Sequence, residues 1–156
     1  MNDHELAMLQ AINAARAERG VHALTADEQL AAAAERHAQD IAQHPGLFHE
    51  GSDGSTTLSR VRDTGYAFEW VFEVVGWGWA GDIPPMVEWW LNSPAHVGLV
   101  LSGDVTEIGV GYATGLPPWY YYWAVVMARP VVVAPPPPEP PRPYTSYVPV
   151  VVKGEQ

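Results

Sequence analysis

The sequence contains no cysteine. Disulfides, thiolate metal ligands and a cysteine nucleophile are therefore excluded, and the redox compartment cannot be read from it. Basic residues are scarce too: 8 Lys and Arg stand against 18 Asp and Glu, a formal net charge of -10, and no basic cluster occurs. Such a chain is not built for nucleic acid or an anionic membrane surface, whereas neutral or cationic partners remain open. The longest apolar run, residues 119–128, is about half of what a bilayer-spanning helix needs, so the chain is expected not to span a membrane. Met1-Asn2-Asp3-His4-Glu5 has neither a basic start nor an apolar stretch, and no signal peptide is expected in it. There is no Gly-x-Ser-x-Gly elbow, and Ser52, Ser55 and Ser93 suit caps and turns better than nucleophilic chemistry.

What is present suffices for one domain of 156 residues with its own core. Leu6, Leu9, Ile12 and Ala15 recur at helical spacing and Gly20 stops the pattern, predicting a helix over residues 4–19. Thr25-Ala26-Asp27-Glu28 reads as a capping box opening a second helix that runs to residue 43. Its packed face carries Leu30, Ala33, Ala34, His37 and Ile41, and the alanines permit close approach of another element. His37 reads as a hydrogen-bonded core histidine, with metal ligation the lesser alternative. A short third helix around Leu58 and Val61 ends at Gly65, and the aromatic and valine content of residues 66–79 reads as extended.

Asp82 is a candidate cap for a fourth helix, in which Pro84 and Pro85 occupy the first turn and Met86, Trp89 and Trp90 face the core. Residues 105–113 and 119–128 predict two antiparallel strands around the turn at residues 114–118. This order predicts an α/β (α+β) fold, a three-layer α/β/α sandwich with a central, mainly antiparallel sheet. The domain is expected over residues 1–130, with a Pro-rich tail over 131–156. Its segment 134–143 suits a polyproline II spacer of roughly 30 Å, and residues 144–152 suit an edge strand.

Ser93 and Pro94 read as a helix start, with His96 in the first turn beside unpaired amides and the positive end of the dipole. That favours the neutral imidazole, competent as a ligand or hydrogen-bond partner. Taken alone, a histidine after Ser-Pro is more often just an exposed helix-start residue. His49, in the polar loop of residues 50–55, reads by itself as solvated, and Glu73 lies either on the solvated face of its strand or in a site.

Taken in order, Phe48-His49-Glu50-Gly51-Ser52-Asp53-Gly54, Arg60-Val61-Arg62-Asp63-Thr64-Gly65-Tyr66, Asn92-Ser93-Pro94-Ala95-His96 and Asp104-Val105-Thr106-Glu107-Ile108-Gly109 resemble a known series. It is that of the bacterial branch of the CAP superfamily, the cysteine-rich secretory, antigen 5 and pathogenesis-related 1 proteins, over about residues 6–129. The resemblance implies the same three-layer fold, an extracellular or cell-envelope location, and a cleft with two histidines and two acidic residues able to take a divalent metal, commonly zinc. It assigns His49 and His96 as the metal ligands, Glu73 as one acid and Glu88 as the candidate for the second. Departures are Phe72-Glu73-Val74 where the family has Gly-Glu-Asn, Ala95-His96-Val97 where many bacterial members have Gly-His-Arg, and Tyr122-Trp123-Ala124-Val125 in place of a late Tyr-x-x-Gln. Each replaces a polar neighbour by an apolar one, and such neighbours normally strengthen a metal site.

Two functional readings follow. One is a non-catalytic module binding a small apolar or glycan-like ligand, for which seven Trp and seven Tyr supply rigid contact area, although most are expected in the core. The other is a metal-dependent, peptidase-like hydrolase with His49 and His96 on the metal and Glu73 or Glu88 as general base.

Overall fold

The computed structural model describes residues 1–46, 48–78 and 83–132. The expected tail elements at 134–152, Trp79 and the cap at Asp82 lie outside the described residues. Five helices and four strands follow in the order α1 (Asp3–Glu18), β1 (Thr25–Ala26), α2 (Glu28–Gln43), α3 (Thr57–Asp63), β2 (Phe68–Trp77), α4 (Ile83–Asn92), α5 (Val97–Val100), β3 (Glu107–Thr114) and β4 (Tyr121–Pro130). The sheet order is β1-β3-β4-β2. Both long pairings are antiparallel, and only the two-residue β1 runs parallel to β3. This is the mixed, mainly antiparallel sheet between helices that the order of elements predicts.

Alternation along β4 sorts the two faces. Trp123, Val125 and Met127 pack with Met8, Ile12, Met86 and Trp90 of α1 and α4. Tyr122, Ala124, Val126 and Ala128 face the opposite way, toward Leu30, Ala33, Ala38 and Ile41 of α2. On that second face Gly109 and Gly111 leave no room for a side chain. A Cβ at either would collide with the backbone of Leu30 or Ala34, so helix and strand touch main chain to main chain.

Local boundaries differ from the periodicity in instructive ways. Asn2 and Glu5 form the capping box of α1, and Glu5 is buried by it. Leu6 is 44% exposed, its place in the core face taken by Met8. Thr25 is not a cap: it pairs with Glu107 in β1, and Asp27 caps α2 by accepting from the amides of Gln29 and Leu30, both at 2.9 Å. Proline and serine open no helix at residue 93. Pro94 and Ala95 form a turn, and His96 sits at the N-cap of a four-residue α5.

Candidate functional site

β2 is an outer strand, and where its C-terminal end leaves the sheet the two helical layers part. From the α2 side the loop after that helix brings in Phe48 and His49. From the other side α4 brings Met86 and Trp89, and the following turn brings His96. Together with residues 75–78 of the β2 end and Trp119 of the β3–β4 connection, they enclose a cavity of about 620 Å³. Adjacent tryptophans on α4 divide the work. Trp90 is fully buried and its indole N–H donates to the Val75 carbonyl at 3.1 Å, fixing the helix on β2, while Trp89, 46% exposed, turns its ring to within 5.2 Å of the His96 ring.

Behind His49 lies a buried polar network centred on Glu73. Arg60 of α3 donates through Nη2 to both carboxylate oxygens, at 2.9 and 3.2 Å, and Thr57 Oγ1 donates to Oε1 at 2.9 Å. His49 Nδ1 lies 2.9 Å from the same oxygen. Burial by itself would raise the Glu73 pKa, but the hydrogen bond from His49 and the charges of His37 and Arg60 outweigh it, and the net displacement is downward. The carboxylate is thus ionised and accepts the Nδ1 proton of His49. The Glu73 side chain is 2% exposed, so the solvated-face alternative is overturned: β2 turns this position inward, between α2 and α3.

His37 is fully buried. Its Nε2 donates to the Phe48 carbonyl at 2.6 Å and stands 3.7 Å from Glu73, while Nδ1 has no partner. Burial pushes its pKa down. It is the core histidine expected from helical spacing, and it holds the backbone from which His49 projects. His96 pairs through Nδ1 with Ser93 Oγ at 2.7 Å. Its pKa is also lowered, first by burial and then by the positive charge His49 would carry. The neutral imidazole read from the sequence is what the site favours, through desolvation and a neighbouring histidine as the physical cause.

His49, His96 and Glu73 therefore come together, whereas Glu88 does not. It is exposed on α4, whose core face is set by Ile83, Met86, Val87 and Trp90, and it does not line the cavity. Among the described residues no group of three or more His, Asp or Glu is placed to hold a metal ion. Among the described residues the donor set at the cleft is two imidazoles, because the Glu73 oxygens are engaged by Arg60, Thr57 and His49. Zinc sites commonly use at least three protein ligands, so these residues do not fit a tight zinc centre.

Sequence reasoning missed Arg60, Thr57 and the rim aromatics. The available signal for the first two was their i, i+3 spacing, which places them on one side of a short helix. The expectation that most aromatics are core is also corrected. Of the described tryptophans only Trp90 and Trp123 are buried; Trp70, Trp89 and Trp119 are exposed.

Compared with known proteins, residues 9–127 match the model of the cysteine-rich secretory protein family, CAP. The chain belongs to the CAP family. It is 28% identical over 107 residues to the Bacillus subtilis uncharacterized membrane protein YlbC and 26% identical over 111 residues to YkwD of the same organism. These matches cover 69% and 70% of this chain but only 31% and 42% of those proteins, so the chain spans less than half the length of either relative. Among solved structures, an outer surface protein of Borrelia burgdorferi superposes with a TM-score of 0.74 at 19% identity, covering 83% of this chain and 95% of that one. An extracellular protein of Bacillus anthracis containing an SCP domain superposes with a TM-score of 0.69 at 21% identity, covering 81% of this chain and 40% of that one. At these identities the likeness speaks for the fold.

Proposed function

We propose that this CAP domain is a non-catalytic binding module for a small, predominantly apolar ligand, held in the cleft between Trp89 and His49. One observation carries the reading: a cavity of about 620 Å³ whose walls are Phe48, Val75, Met86 and three tryptophans, with His49 and His96, besides the indole N–H groups, the only polar side chains among its described lining residues. Its size lies within the roughly 300–1,000 Å³ of small-molecule sites. The polar inventory argues for an apolar ligand over a glycan. A sugar ring would bring several hydroxyls into a cleft that offers two imidazoles, and each unpaired buried hydroxyl costs about 1–3 kcal/mol. An extracellular or envelope location is part of the proposal, supported by the descriptions of the Borrelia and Bacillus anthracis proteins.

The hydrolase reading has less support. Glu73 is committed to Arg60 and Thr57 and is not free to take a proton from water, and Glu88 lies on another face. The direct test is titration of the full chain with 1-aminoanthracene, an uncharged apolar fluorophore, beside Trp89→Ala. Saturable one-site binding, weakened at least tenfold in a variant with unchanged circular dichroism, is the expected result. Absence of saturable binding to the parent protein would refute the module.

A further inference from the structure

A second, smaller cavity of about 230 Å³ lies beside the first, lined by Ile41, Pro45, Gly46, Pro118 and Tyr122. The two share Trp77 and Trp119 as lining residues. The same pair of indoles thus walls both lobes. Trp77 is braced by the Phe48 ring, edge-on at 5.4 Å, and Trp119 lies over Gly78, where an added Cβ would stand 3.6 Å from the indole.

The lobes differ in chemistry. All ring nitrogens lining the groove, other than indoles, sit in the large lobe, on His49 and His96. Besides the two shared indoles, the small lobe has one polar side chain among the described residues, Tyr122, and its hydroxyl already donates to the Leu116 carbonyl at 2.6 Å. Apart from the two indole N–H groups, no side chain of the described lining is left to satisfy a polar group, and leaving one unpaired there is costly. An occupant that crosses between the indoles must be narrow, and the part beyond them must be apolar.

From this geometry we infer that the two lobes form one groove that selects a single linear alkyl chain with an uncharged hydrogen-bonding head, the head against His49 and His96 and the chain end past Trp119 beside Ile41. Trp77 and Trp119 are then the residues that determine chain length. This rests on the proposed binding function and names its ligand class.

The test is a homologous series of linear alkanols, octanol to hexadecanol, titrated into the full chain and into Pro45→Trp. Pro45 is exposed at the rim of the small lobe, so an indole there fills the lobe without entering the core. In the parent protein affinity should rise roughly fourfold per added methylene while the chain is still entering apolar surroundings. In Pro45→Trp the short alkanols should bind as before and the rise should stop at a shorter chain. Independently of any substitution, hexadecanol but not octanol should shift the Ile41 methyl signals in NMR spectra of the parent. Identical cut-offs in the two proteins, or hexadecanol bound with Ile41 unmoved, would overturn the second lobe while leaving the main site standing. Failure of every alkanol to bind would overturn both.

Discussion

One sheet meets its surroundings in two opposite ways. Along β3 the seam with α2 is closed to the point that Gly109 and Gly111 have no space for a Cβ, and the facing helix offers Ala33, Ala34 and Ala38. At the end of β2 the layers stand apart, and large rings line the gap without filling it. Small residues at the seam let backbones touch and exclude everything else. Aromatic residues at the gap keep their faces partly exposed, which serves no packing purpose and suits a ligand. Stability and, on the proposed function, binding thereby fall to different parts of the same sheet.

The sharpest way to break the contrast is to put bulk into the seam. Gly111→Val forces a side chain into the Ala34 main chain. No rotamer relieves a clash with backbone, so the variant is expected to lose folding altogether, against a total stability of ~5–15 kcal/mol for a domain of this kind. Soluble yield and circular dichroism report it. Next comes the buried pair behind the cleft. Arg60→Ala leaves the Glu73 charge without its main partner in a site where both side chains are at most 2% exposed. Chemical denaturation should show a loss of about 3–5 kcal/mol, and the Arg60→Ala, Glu73→Gln double variant should recover part of it.

Acid should act on the same network. His37 and His96 have pKa values held below the ordinary 6.5, so below about that pH the unfolded chain takes protons that the folded chain refuses, and stability declines as pH falls. Glu73, held below its ordinary 4.5, adds a contribution present above that value and lost as pH drops through its folded pKa. Both effects have the same sign. Melting temperature should be flat above about pH 6.5 and fall below it, with a weaker slope in His37→Gln.

At the open end the effects on stability should be small. Trp89→Ala removes a half-exposed ring, and its melting midpoint should shift by an amount equivalent to no more than about 1 kcal/mol while ligand affinity drops at least tenfold. Smallest of all, treatment with a chelator should leave the melting temperature unchanged, because a two-imidazole donor set does not fit a tight zinc centre. A drop of several degrees restored by zinc would show that this reading of the donor set is wrong.

Much of the fold was legible in order. The α2 stripe of Leu30, Ala33, Ala34, His37 and Ile41 is buried as its spacing predicts, and the two late strands pair antiparallel. Mistakes cluster where two local chemistries compete. Thr25 satisfied the pattern for a cap, but a parallel bridge to Glu107 claimed its backbone and moved the cap to Asp27. Trp89 and Trp90 are equally apolar, and their helical positions differ by about 100°, so a single turn of α4 decides that one is core and the other cleft.

The same division holds for the site. His49 and His96 were nameable because motif order carries them, and the neutral state of His96 was anticipated from the wrong cause. Composition and periodicity determined the helices, the strands, the absence of thiol chemistry and the scarcity of positive charge, since each follows from which residues occur and at what spacing. Tertiary structure alone decided that Glu73 is buried under Arg60, that Glu88 faces away, and that Trp77 and Trp119 line two neighbouring cavities. Those outcomes depend on distances between elements remote in the chain, and no local pattern encodes the angle at which two layers separate.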